Sequence, residues 1–233
     1  MSRALLCIVL LLAATPGLHV VAETKARKAV VTAMKPEQLA DFDDQPKAIQ
    51  TIITTALKLT ERNLTYTYAS ANPDRGGMDC SGTMYHVLRK EGITDTPRQS
   101  DHICGWVMKK SSFTRTKDVH SFDHEVFAAL RPGDLLFWSG TYEAGKRENP
   151  VTHVMLYLGK RASDGKPVIF GASDGRSYEG QRRCGVSVFD FRVPSAKSKS
   201  ALYGFGPIPG MRPSAVNSKP KEEIRKATLP TES

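Results

Sequence analysis

The stretch GGMDCSGTMYHVLRKEG, residues 76–92, sets a cysteine where a helix should begin. Gly76, Gly77 and Asp79 lead in, Met84, Val87 and Leu88 recur behind Cys80 at helical spacing, and Gly92 offers a stop. Three roles are open to such a cysteine: a buried core thiol, half of a disulfide, or a nucleophile at the positive end of a helix. Taken alone, a cysteine there is more often buried structure than nucleophile. The rest of the chain has to decide.

Upstream, DQPKAIQTIITTALKLTERN (44–63) reads as an amphipathic helix. Asp44 can cap it, Pro46 sits in the first turn, and Ile49, Ile52, Ile53, Ala56 and Leu57 share a face as core packing. LTYTYASANPDRGG (64–77) is a short extended piece and a loop that delivers the chain to Cys80. Downstream, residues 96–130 are polar and irregular, with one or two short helices. The periodicity then changes. LRPGDLLFW (130–138) is a turn and a buried strand, THVMLYLG (152–159) a strand of alternating character, and KPVIFGAS (166–173) and GVSVFDF (185–191) are two more. Helices followed by an antiparallel meander predict an α+β fold, its N-terminal helices packed on a central antiparallel sheet. The helix headed by Cys80 would pack on the sheet that carries His153.

The ends read differently from this middle. Arg3, the apolar run ALLCIVLLLAA (4–14) and VVA before Glu23 form a signal peptide over residues 1–22, too short to span a bilayer comfortably. Residues 23–44 are a loosely attached polar lead-in, 45–211 the domain, and 212–233 a disordered tail rich in Pro, Ser, Lys and Glu. A secreted or periplasmic protein without a stable membrane anchor is expected. Its 33 Lys and Arg against 24 Asp and Glu suit an anionic polymer or surface as much as plain solubility. Basic residues are not interleaved with aromatics, which argues against nucleic acid. Cys7 leaves with the signal, so Cys80, Cys104 and Cys184 remain. The simplest partition in an oxidising compartment pairs Cys104 with Cys184 and leaves Cys80 free.

A helix N-terminus favours thiolate over thiol, and its N–H groups can hydrogen-bond the oxyanion formed when that thiolate attacks an amide. His153, at the start of a strand, is the base a fixed backbone could aim at the sulfur. Four ordered blocks, MDCSG, TPRQS, LRPGDLLFW and THVMLYLG, resemble the NlpC-type cell-wall cysteine peptidases, papain-like hydrolases of bacterial peptidoglycan. The likeness runs from about Lys47 to Pro209.

The resemblance implies roles position by position. Cys80 matches the nucleophile and His153 the general base. Tyr66 matches a tyrosine that contacts substrate or intermediate, and Asp79 and Ser81 flank the cysteine where relatives bind the amine of a stem peptide. Two departures stand out. Ala69 and Ser70 replace a pair of glycines, and the third catalytic position, on the strand after the base strand, falls on Gly171. Ser173 shares that face and Asp174 lies just beyond in the turn, so either could orient the imidazole. The implied reaction is amide hydrolysis in peptidoglycan stem peptides through a thioester, at the bond between D-glutamate and the diamino acid. A monomer needing no metal or organic cofactor is expected. The alternatives are an N-acetylmuramoyl-L-alanine amidase of the same superfamily and a non-catalytic cell-wall-binding protein. Cys before His in the chain excludes the circularly permuted relatives that transfer acyl groups to and from lipids.

Overall fold

The computed structural model describes residues 28–212. Residues 1–27, which hold the signal segment 1–22 and the start of the lead-in, and residues 213–233 of the tail lie outside the described residues. Helix α1 (Lys47–Thr60) buries Ile49, Ile52, Ile53, Ala56 and Leu57 as its periodicity predicts. Each large aliphatic side chain taken fully from water contributes about 1.5–3 kcal/mol. Asp44 does not cap it. The first turn closes on the Pro46 carbonyl, which accepts from the N–H groups of Ile49 and Gln50, and Asp44 falls two residues short.

Strand β1 (Thr65–Tyr66) pairs in parallel with β2 (Gly77–Met78), which brings Tyr66 beside the segment leading into helix α2 (Cys80–Lys90). Then come α3 (Ser100–Lys110), β3 (Thr114–Arg115), β4 (Asp134–Ser139), β5 (Val151–Lys160), β6 (Pro167–Ser173), the small hairpin β7 (Ser177–Tyr178) and β8 (Gln181–Arg182), β9 (Gly185–Asp190) and β10 (Ala201–Pro207). The central antiparallel sheet runs β3-β10-β4-β5-β6-β9. The four expected strands form its meander, but β10 returns to pair with β4 and breaks the simple up-and-down order. On its other edge β10 meets β3, and Gly204 allows that approach, because a Cβ there would stand 2.5 Å from the Thr114 carbonyl oxygen.

Both faces of the sheet are covered, which is why β5 is buried over nearly its whole length rather than alternating. The helices cover one face, over Leu135, Phe137, Val154, Leu156, Phe170 and Val188. The other face carries Leu136, Trp138, Met155, Tyr157, Ile169 and Phe189, and Val119, Phe127 and Leu130 from the segment between β3 and β4 close over it.

Two expected boundaries move. The described part of the lead-in, residues 28–44, is docked, not loose: Val30 and Cys184 exchange backbone hydrogen bonds, Val188 N–H donates to the Thr32 carbonyl, and Met34 and Leu39 are buried. These residues sheathe the otherwise open edge of β9. Arg212, first residue of the expected tail, belongs to the domain, since it donates to the buried carboxylate of Asp134 at 2.9 Å.

Candidate active site

Cys80, Cys104 and Cys184 are all free, buried thiols, so the expected Cys104–Cys184 disulfide is not formed. Cys104 sits on α3, over β5 and β10, with its sulfur toward Met108. Cys184 is tied to Val30 at the β9 edge. A disulfide needs Cα atoms within about 7 Å, and the opposite flanks of a sheet cannot supply that.

Cys80 opens α2 behind Asp79, whose carboxylate caps the helix by accepting from Gly82 N–H at 2.5 Å. A second glycine requirement lies here: a Cβ at Gly82 would meet the Ser70 carbonyl oxygen at 2.1 Å. Ala69, in the stretch where relatives carry glycines, takes the left-handed conformation at φ 59°, which explains a glycine preference there and marks Ala69 as strained. Arg98, from TPRQS, grips Asp79 through both guanidinium nitrogens and also donates to Ser81 Oγ at 3.0 Å. Ser81 in turn donates to Asp79 at 3.2 Å. Asp79, Ser81, Arg98, Tyr66, Tyr142 and Cys80 line one cleft of about 280 Å³.

The sulfur of Cys80 lies against the backbone N–H of Val154, one residue beyond His153. Burial pushes the thiol up to about 11, and the Asp79 charge adds to that; the N–H groups of Val154, Ser81 and Cys80 pull the other way by favouring thiolate. Burial therefore outweighs the helix end, and the resting sulfur is a thiol. His153 is buried as well. Desolvation first, then the positive charge of Arg176, hold its imidazole well below the usual range, so it rests neutral. Its Nε2 has no hydrogen-bond partner among the described residues. Trp138, paired with it across β4 and β5, meets it edge-on at 5.8 Å. Burial also raises Tyr66, with Cys80, Asp79 and Asp174 adding to the effect, which shows how closely these acidic groups gather round the phenol.

His153, Ser173 and Asp174 line a second, wider groove of about 750 Å³, which adjoins the first cleft through Tyr66, Tyr68 and Tyr142. The pairs Tyr157 with Ile169 and Leu156 with Phe170, continued by one step toward the start of β5, set Met155 against Gly171. A Cβ at Gly171 would stand 3.0 Å from Met155 Cγ, in agreement with that register. The empty position at Gly171 thus accommodates Met155, and Ser173 lines the same groove as His153. Asp174 is exposed in the following turn.

Three residues that sequence reasoning missed complete the site. Arg98 stood inside a quoted block, but nothing in the sequence tied it to Asp79. Arg147 braces the wall of the cleft by donating to Tyr142 Oη, Asp101 and the Val151 carbonyl. Arg176 reaches over the Trp138 ring at 4.2 Å and had no signal at all.

The fold thus brings together a buried thiol at a helix start, N–H donors at its sulfur, and a neutral imidazole one residue from the backbone that the sulfur meets. Residues 63–175 match the model of the NlpC/P60 family. The match takes in Tyr66, Cys80, Arg98, His153, Ser173 and Asp174 and ends one residue before Arg176. That match supports a cell-wall peptidase-type function in broad terms. No curated protein matches the chain. Among solved structures, one described as similar to a lipoprotein of the NLP/P60 family, from Staphylococcus aureus subsp. aureus Mu50, is 22% identical with a TM-score of 0.44. The alignment covers 80% of this chain but 45% of that one, so this chain spans under half of that protein's length. Among the described residues, no helix is long and apolar enough to cross a membrane.

Proposed function

We propose that the protein is an exported cysteine peptidase that hydrolyses the D-glutamyl–diamino acid amide of peptidoglycan stem peptides. The observation that carries this reading is the seating of Cys80, at the head of α2, against the backbone beside His153. His153 takes the thiol proton as sulfur attacks the amide carbonyl, because a neutral imidazole can accept it while the thiol itself is too weak an acid to ionise unaided. The N–H groups at the start of α2 stabilise the oxyanion. His153 then protonates the leaving amine, a thioester remains on Cys80, and water attacks it with His153 again as base. Ser173, buried in the same groove as His153, is the better placed of the two candidates to orient the ring. Asp79 and Ser81, held by Arg98, would receive the ammonium of the stem peptide, with Tyr66 over the acyl portion.

This reading places the mature protein in the cell envelope or outside it, as a monomer, with residues 1–22 as the signal. Mass spectrometry of muropeptides after digestion of purified sacculi tests it. Fragments cut between D-glutamate and the diamino acid are expected, and none with Cys80→Ala. Unchanged muropeptides with the wild-type protein would refute it.

A further inference from the structure

Arg176 stands in the wide groove with its guanidinium over the Trp138 ring at 4.2 Å, and Trp138 is edge-on to His153. Among the described residues no carboxylate lies within ion-pair distance of it, whereas Arg192 in the same groove is already paired with Asp190 at 3.3 Å. A guanidinium offers five donors and no acceptor, and a planar carboxylate is the partner that fits it best. The ring face of Trp138 satisfies its charge only in part. Burial pulls Arg176 down to about 10, and a thiolate at Cys80 would work in the opposite sense.

Position tells which end of the substrate would supply the anion. His153 must protonate the leaving amine, so the groove it lines receives the leaving residue; Asp79, Ser81 and Arg98 line the neighbouring cleft together with Cys80, not this groove. We propose that Arg176 is a substrate-binding residue that pairs with a carboxylate of the leaving diamino acid and thereby selects which stem peptides are cut. This rests on the hydrolase reading above and deepens it. Two carboxylates of the leaving residue could serve: one at the far end of its side chain, or its own main-chain carboxylate when the peptide ends there.

The test uses L-Ala-γ-D-Glu peptides ending in either a diamino acid with a side-chain carboxylate or lysine, each as the C-terminal acid and as the amide. For the wild type, kcat/KM should fall about tenfold or more on loss of whichever carboxylate Arg176 holds, the lysine arm reporting the side-chain group and the amide arm the main-chain one. Arg176→Gln should lose as much on the full peptide and show no further loss on the depleted ones, while Arg176→Lys keeps part of the preference. A wild type indifferent to both carboxylates, or an Arg176→Gln variant that slows every peptide by the same factor, would overturn the proposal. Calorimetry in the Cys80→Ala background separates the two readings. If the wild type cleaves none of the peptides the hydrolase reading fails, yet tighter binding of the full peptide, abolished by adding Arg176→Gln, would still support the anchor. Equal binding of all four would overturn it.

Discussion

Arg98 donates to both carboxylate oxygens of Asp79, at 3.1 and 2.8 Å, one residue before the cysteine that opens α2. Asp79 is simultaneously the helix cap, a charge beside the thiol and a wall of the cleft. Removing the guanidinium leaves a buried carboxylate without its cation. Arg98→Ala should therefore cost about 2 kcal/mol in chemical denaturation, below the range for fully buried pairs because Arg98 is partly exposed. It should also slow alkylation of Cys80, since the unbalanced Asp79 charge disfavours thiolate. Adding Asp79→Asn, which still caps a helix, should restore part of both losses. A double variant no more stable than Arg98→Ala would show that the pair is not what matters.

The resting charge state of the site has its own signature. With the thiol at about 11 and a neutral His153, alkylation of the free protein by iodoacetamide should climb with pH by about tenfold per unit from 7 upward, without an early plateau. Turnover should hold steady down through pH 6.5, because the imidazole stays unprotonated below its ordinary range. An alkylation plateau with a midpoint near neutrality would reveal a preformed thiolate–imidazolium pair instead.

Gly171 and Ser173 separate packing from chemistry. Gly171→Ala presses a methyl toward Met155, whose flexible side chain can shift, so a loss of roughly 1 kcal/mol in stability with near-normal turnover is expected. Ser173→Ala should leave stability nearly unchanged but lower kcat by about 10- to 100-fold, less than loss of Cys80 or His153. The reverse pattern, measured by thermal melts and steady-state kinetics, would show that Ser173 does not orient the ring.

Asp134 ties the C-terminal end of the described chain to stability. Burial raises its carboxyl from the ordinary 3.8 to about 6, although Arg212 and the Arg131 N–H favour the charged form. A folded-state value above the unfolded one means that this contribution is fully present below about pH 4 and is lost as pH rises through 6. Asp134→Asn should flatten that part of the stability profile. Truncation after Met211 removes Arg212 and should cost roughly 1–3 kcal/mol at pH 7.5 by denaturant melts. A truncated protein as stable as the full chain would show that Arg212 contributes nothing.

Local pattern carried the sequence reading a long way, and its failures share one cause. Ile49 to Leu57 at helical spacing, and the apolar runs of β4, β5, β6 and β9, declare themselves because burial of one element imposes a period on its own residues. Cys80 and His153 stood out through the blocks around them. β10 was missed because Gly204 and Gly206, needed where Thr114 and Ser112 approach, erase the apolar signal of a strand. The docking of Val30 to Leu39 depends on an edge built about 150 residues later, and the pairing of Arg98 with Asp79 and of Arg176 with Trp138 is equally a matter of tertiary proximity. The low thiol pKa expected at a helix start fails for the same reason: the helix end is local, and the burial that outweighs it is not.

The account turns on a thioester at Cys80, and acid-quenched mass spectrometry observes that species directly. An L-Ala-D-Glu γ-ester with a good leaving group acylates faster than the thioester is hydrolysed, so the adduct should accumulate within the first turnover. The predicted result is a hydroxylamine-labile mass increase of one acyl group on the peptide containing Cys80, absent in Cys80→Ala and much slower to form in His153→Ala. Turnover without any adduct on that peptide, or turnover that persists in Cys80→Ala, would contradict it.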